Sequence, residues 1–125
     1  MILGVGLDWV ENRRIALALD RFGEQFARRI LLPAEWEYCR SHKNPSPHVA
    51  ARFAAKEAAS KALGVGIGKQ LGWLDLEILR AQNAAPALAF HGRGLEVFGR
   101  LGGRRTFLSL THTDGHSAAV VILED

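Results

Sequence analysis

Glu57 and Lys61, a carboxylate and an amine four residues apart, share one stripe of a helix whose other members are Ala50 and Ala54. Glu four residues before Lys is the favourable order for a surface ion pair worth roughly 0.2 to 0.5 kcal/mol, so that plain reading stays open. The segment around the pair, RFAAKEAASKALGVGIG, adds a chemical reading. Arg52, Lys56 and Lys61 surround one carboxylate and lead into a glycine-rich turn, and basic side chains with free backbone N–H groups suit phosphate. A second carboxylate, Asp8, closes the apolar run ILGVGL. A hard cation such as Mg²⁺ takes one or two carboxylates and completes its octahedron with water and phosphate oxygens, and Asp8 with Glu57 can begin such a set. The competing role for Asp8 is an N-cap or first-turn acid of the helix that follows. His112 stands between Thr111 and Thr113 at a strand end, where an imidazole either donates to phosphate and moves protons or simply faces solvent. His42, His48, His91 and His116 form no i, i+4 pair or other ligand spacing, and no chemistry is assigned to them.

Elements that position these groups are legible in outline. Residues 2–7 read as a short buried strand ending at Asp8. From Val10 to Phe22, Ile15, Leu19, Phe22 and, beyond them, Phe26 recur at helical spacing, while Arg14, Ala18 and Arg21 fall on another face. That stripe is ordinarily a solvated face; its functional reading is a docking surface for an acidic helix. Pro33 begins a second helix through Arg40, and SHKNPSPH is a loop. Ser46 or Pro47 opens a helix to about Leu63, with alanines all the way round it, so it packs on several sides; Gly64, Gly66 and Gly68 end it. WLDLEILRA and PALAFH read as strands, GRGLEVFGRLG as a turn and short helix, and RTFLSLTHT with HSAAVVILE as a hairpin around Asp114-Gly115. The order predicts an α+β fold, an antiparallel sheet packed on a long Ala-rich central helix. Trp9, Trp36 and Trp73 are expected to be packing residues.

A chain of 125 residues, 48% hydrophobic and 23% charged, has the size and composition of one globular domain, and one this short gains from burying surface against other subunits. Cys39 is the single cysteine, which fits a reducing cytoplasm. MILGVGLDWV has no basic leader or cleavage site, and no apolar stretch approaches the roughly 18 residues of a membrane span, so the expectation is a soluble, unexported protein that binds no membrane. Net charge of +3 favours an acidic partner: nucleic acid, an anionic cofactor or an acidic protein.

Three segments together resemble one family. GVGLDWVENRRI resembles the opening of bacterial holo-acyl-carrier-protein synthases, RFAAKEAASKALGVGIG their central helix, and LSLTHTDGHSAAVVILE their closing hairpin. They occur in the family's order and nearly span the chain. The resemblance implies a single phosphopantetheinyl transferase-like domain over residues 1–125, transferring 4′-phosphopantetheine from coenzyme A to a serine of apo acyl carrier protein and releasing adenosine 3′,5′-bisphosphate. It implies Mg²⁺ held by Asp8 and Glu57, with Lys61 beside the pyrophosphate as the third catalytic residue. Arg52, Lys61, Gly64 and His112 match coenzyme A contacts, and Arg14, Ala18 and Arg21 match the carrier-docking face. Small relatives are similar in being homotrimers with sites between subunits, so Asp8 and His112 are expected from a different subunit than Glu57.

The chain departs from the family where it reads QNAAPAL, with Ala84 and Ala85 in place of Gly-Lys, and where Trp9 replaces a smaller aliphatic residue, which implies a local packing change without loss of activity. A nucleic-acid-binding domain would account for the arginines at 13, 14, 21, 28 and 29, but no aromatic-basic stacking motif accompanies them and Asp8 would have no role. A coenzyme A binding subunit without transferase activity would have no use for Asp8, Glu57 and Lys61 together.

Overall fold

A computed structural model describes residues 1–80 and 83–125; Ala81, the last residue of the expected WLDLEILRA strand, and Gln82 of QNAAPAL lie outside the described residues. Strand β1 (Ile2–Glu11) continues through Asp8, which the sequence placed at its end. The reason is its partner: β5 (His116–Glu124) pairs with it antiparallel from Ile2 opposite Glu124 to Glu11 opposite His116, so the ladder holds Asp8 in extended backbone opposite Ala119. Asp8 therefore caps no helix.

Helix α1 (Asn12–Phe22) starts two residues later than its apolar period indicates, because Val10 is still paired with Ser117 in the sheet. Gly23, at φ 60°, ends it and a separate helix α2 (Glu24–Ile30) follows. Phe26 thus belongs to α2, and the change of direction leaves Phe22 exposed rather than buried beside Ile15. Helices α3 (Pro33–Arg40) and α4 (Ser46–Leu63) have the expected bounds. Gly64 closes α4 in the left-handed region at φ 78°, its N–H donating to Lys61 O at 3.0 Å, a conformation that glycine adopts without a Cβ penalty.

Beyond a 3₁₀ turn at Trp73–Asp75 come β2 (Leu76–Leu79), β3 (Ala87–Phe90), α5 (Gly92–Arg100) and β4 (Arg105–His112). The hairpin of β4 and β5 turns at Asp114-Gly115 as expected, with Thr113 N–H donating to His116 O at 2.8 Å. The fold is α+β with antiparallel pairing throughout, but the expected single sheet is two: three strands in the order β1-β5-β4, and a separate β2-β3 pair. Between β3 and β4 the connection is a side-chain bond, Thr106 Oγ1 to Leu88 O at 3.3 Å, instead of a ladder.

Helix α4 is the centre of the core, buried on nearly every side. It crosses β1 at backbone contact: a Cβ at Gly4 would collide with the carbonyl of Ala62, and one at Gly6 with that of Ala58. Gly4, Gly6, Asp8 and Val10 share one face of the strand, so the glycines that admit α4 also aim Asp8 at it. The opposite face of the sheet carries Val5, Leu7 and Trp9 on β1, Val120 and Ile122 on β5, and Phe107 on β4, in register with one another. Trp9 is 68% exposed there, so it is no packing residue within the chain. Trp36 and Trp73 do pack against the core.

One expectation about α4 is reversed. Lys56 is not a phosphate ligand; it is completely buried and donates to Glu35 Oε1 at 2.7 Å, Ile30 O at 2.7 Å and Trp73 O at 3.1 Å. Glu35 in turn accepts from Leu32 N–H at 2.7 Å and Ile78 N–H at 2.8 Å. This pair joins α2, α3, α4 and β2 through one buried point. No helix among the described residues is long and apolar enough to cross a membrane.

Candidate active site

The face of β1 that meets α4 brings three of the residues singled out by sequence together. Lys61 Nζ, on the last turn of α4, donates to Asp8 Oδ1 at 3.0 Å and to Leu7 O at 3.1 Å. The amine thus pairs with the strand carboxylate and not with Glu57, so the i, i+4 ion pair of the plain reading does not form. Glu57 lies one turn earlier on the same stripe, half-buried. Burial raises its carboxyl above the ordinary value, and the negative charge of Asp8 raises it further, against the opposing pull of Lys61 and Arg14. All of these groups belong to one chain. The expectation that Asp8 and Glu57 come from different subunits is therefore wrong, and the reason is the glycine contact that puts β1 directly on its own α4.

Two neighbouring carboxylates, one raised by the charge of the other, are groups that could hold a hard cation. No cluster of three or more His, Cys, Asp or Glu with metal-binding geometry occurs among the described residues. Mg²⁺ is a cation that so few protein ligands could hold, since it keeps water and phosphate oxygens in its remaining positions.

Arg14 reaches the same neighbourhood from α1, its guanidinium 5.9 Å from the centre of the Phe53 ring and its charge felt at Glu57. Arg21 is exposed further along α1, and Ala18 lines an apolar pocket of about 290 Å³ with Phe22, Gln25, Phe26 and Arg29. Arg14, Ala18 and Arg21 thus edge a surface that begins at the paired carboxylates.

Arg52 and His112 gather at the opposite end of α4. Arg52 is buried, donates from Nη1 to His48 O at 3.1 Å and stacks on Tyr38 at 4.3 Å. His112 faces His48 edge-on at 6.5 Å between ring centres, and His48 lies flat on His42 at 3.6 Å. Sequence spacing missed His42 and His48, because residues six apart in a loop and a first helical turn match no ligand pattern. It also missed Asn12. Buried at the start of α1, Asn12 donates from Nδ2 to Thr113 O at 2.9 Å and Asp114 O at 3.2 Å, and accepts at Oδ1 from Ser117 Oγ at 2.7 Å. It fixes the hairpin turn next to His112; an Asn near the start of a helical run was the only local signal. Gly64 is exposed at the left-handed turn beyond Lys61, and Ala84 and Ala85 are exposed between β2 and β3.

A family model, the 4′-phosphopantetheinyl transferase superfamily, matches residues 4–121. The chain belongs to this superfamily. It is 50% identical to a holo-[acyl-carrier-protein] synthase of Koribacter versatilis over the full length of both chains. It is similar in structure to the holo-[acyl-carrier-protein] synthase of Neisseria meningitidis, with a TM-score of 0.91 and 32% identity over 100% of each chain. The Helicobacter pylori synthase, solved in complex with coenzyme A, matches with a TM-score of 0.85 and 35% identity over 96% of this chain and 99% of that one.

Proposed function

We propose that this chain transfers 4′-phosphopantetheine from coenzyme A to a serine hydroxyl of apo acyl carrier protein, releasing adenosine 3′,5′-bisphosphate, with Asp8, Glu57 and Lys61 at the reacting pyrophosphate. The observation that carries the reading is the junction of Lys61 with Asp8 at 3.0 Å beside Glu57, in a chain that matches the superfamily almost end to end. Asp8 and Glu57 would hold Mg²⁺, which when bound neutralises charge on the phosphate oxygens. Lys61 is anchored by two acceptors on β1, and its third N–H remains available to a phosphate oxygen of the leaving group. Arg52 and His112 are assigned to coenzyme A phosphate, and Gly64 to backbone contact with the donor. The chain is read as one functional domain of the cytoplasm.

Arg14, Ala18 and Arg21 are assigned to the carrier. An acidic helix laid along α1 meets two exposed guanidinium groups, and the Arg14 end delivers its serine toward Glu57. The test of the function is to mix the protein with apo acyl carrier protein, coenzyme A and Mg²⁺ and weigh the carrier; a folded protein that adds no phosphopantetheine overturns the reading. In the same assay, reversing Arg14 and Arg21 to Glu is expected to raise the carrier KM about tenfold or more with little change in kcat, through slower encounter. An unchanged KM places docking elsewhere.

The active form is read as a homotrimer. Val5, Leu7, Trp9 and Phe107 are exposed on the outer face of the three-stranded sheet, an apolar surface of the kind that marks an interface. Sedimentation is expected to give three times the 13.7 kDa chain mass, and Leu7→Glu to give the monomer. A wild-type monomer at the concentrations of the transfer assay rules the trimer out.

A further inference from the structure

The stacked histidines have no place in the assignments above. His42 Nδ1 lies 2.9 Å from Tyr38 O, a contact that only a donor satisfies, so the neutral ring keeps Nε2 as its basic nitrogen. His42 and His48 lie nearly parallel at 24°, and two cationic rings at 3.6 Å repel, so this contact favours at most one proton on the pair. Around them stand His112 from β4, Arg52 from α4 and Arg80 after β2, the two arginines lining with Tyr38 a cleft of about 160 Å³. The acids lining that cleft are engaged elsewhere: Glu35 with Lys56, and Glu77 with His91 at 2.7 Å. Arg52 Nε has no acceptor among the described residues. Burial first, then the charges of His42, Arg52, His112 and Arg80, push His48 down to about 4.

We propose that the stacked His42–His48 pair is a proton-accepting wall of the donor's phosphate-monoester site: coenzyme A places its 3′-phosphate against the pair and draws a proton onto it as it binds. This rests on coenzyme A being the donor. The monoester is favoured over the pyrophosphate by distance. His48 precedes Glu57 by nine residues, about 13 Å along α4, whereas the pyrophosphate belongs beside Asp8 and Lys61. A phosphate monoester carries close to two negative charges at neutral pH. Placed among Arg52, Arg80 and the imidazoles, it offsets the positive charges that add to burial in keeping His48 neutral, and protein protonation rises with binding. His48 acts as a positioning residue whose charge follows the ligand.

Calorimetric titration with coenzyme A near neutral pH, in two buffers of unlike ionisation enthalpy, counts the protons taken up. The wild-type protein is expected to take up a large fraction of a proton more than His48→Phe, a variant that keeps a flat ring against His42, and to tighten for coenzyme A several-fold more than the variant as pH falls from about 8 to about 6. 3′-Dephospho-coenzyme A should bind more weakly and draw no such proton. Equal proton counts in wild type and His48→Phe, or equal uptake with the dephosphorylated donor, overturn the proposal while leaving the transferase reading intact. Failure of coenzyme A to bind at all overturns both.

Discussion

Glu57→Gln is expected to fold normally and to lose transfer by about three orders of magnitude, the several kcal/mol that a correctly held cation contributes at a phosphoryl centre. Its stability is expected to move the other way. The folded-state value of Glu57 is raised, so its contribution to stability is present below the ordinary carboxyl range and is lost as pH rises through the raised value. At neutral pH the ionised carboxylate therefore costs stability without a cation, and the neutral amide of the same shape removes that cost. Thermal unfolding in chelator should give a midpoint for Glu57→Gln equal to or above wild type. Adding Mg²⁺ should raise the wild-type midpoint and leave the variant's in place, by mass action on a site that only wild type completes. Near-normal turnover in the variant removes Glu57 from the metal site, and a Mg²⁺ shift that survives the substitution does the same. Asp8→Asn should cost as much activity, and it also takes the anionic partner from Lys61.

Lys56→Met is expected to destabilise the fold by about 3 to 5 kcal/mol, far more than any surface lysine would, because it strands the Glu35 carboxylate in the core. Glu35 Oε2 and Oε1 would still accept from Ile78 and Leu32, but the charge would have no counter-ion. Burial also holds Lys56 below the ordinary lysine range despite Glu35, the mark of a pair whose desolvation is severe. The double variant Lys56→Met with Glu35→Gln removes both charges, so urea unfolding should show it less destabilised than the sum of the single changes. Additive losses would mean that the two side chains act independently. Because Lys56 bonds only Glu35, Ile30 and Trp73 in the core, the folded fraction of Lys56→Met should keep its kcat, whereas a phosphate ligand would lose it.

These two lysines mark the boundary between what the residues imply and what packing decides. Lys56 and Lys61 are the same residue type on one helix, five positions apart, and the local sequence offers both to phosphate. Five residues turn the helix by about 140°, so only one can face β1. Which one does so depends on Glu35, 21 residues away on another helix. Local punctuation, by contrast, acts through the backbone of the residues that carry it: the prolines at 33, 45 and 47, the left-handed Gly64 and the Asp114-Gly115 turn fixed α3, α4 and the last hairpin without help from distant contacts. Gly4 and Gly6 are an intermediate case. Their alternation was visible, but its purpose, contact with the backbone of Ala58 and Ala62, needed α4 in place.

The sequence by itself determined the motifs, the α+β order and the identity of Asp8, Glu57 and Lys61 as candidates, because residue type and short-range spacing encode those. Tertiary structure alone decided that Asp8 and Glu57 meet within one chain, that Lys61 bonds the strand rather than its helical neighbour, and that His42, His48 and His112 come together from a loop, a helix start and a hairpin. It also decided which apolar face of β1 is left uncovered. Each of these depends on contacts between residues far apart in the chain, and no local pattern records which distant surface a side chain will meet.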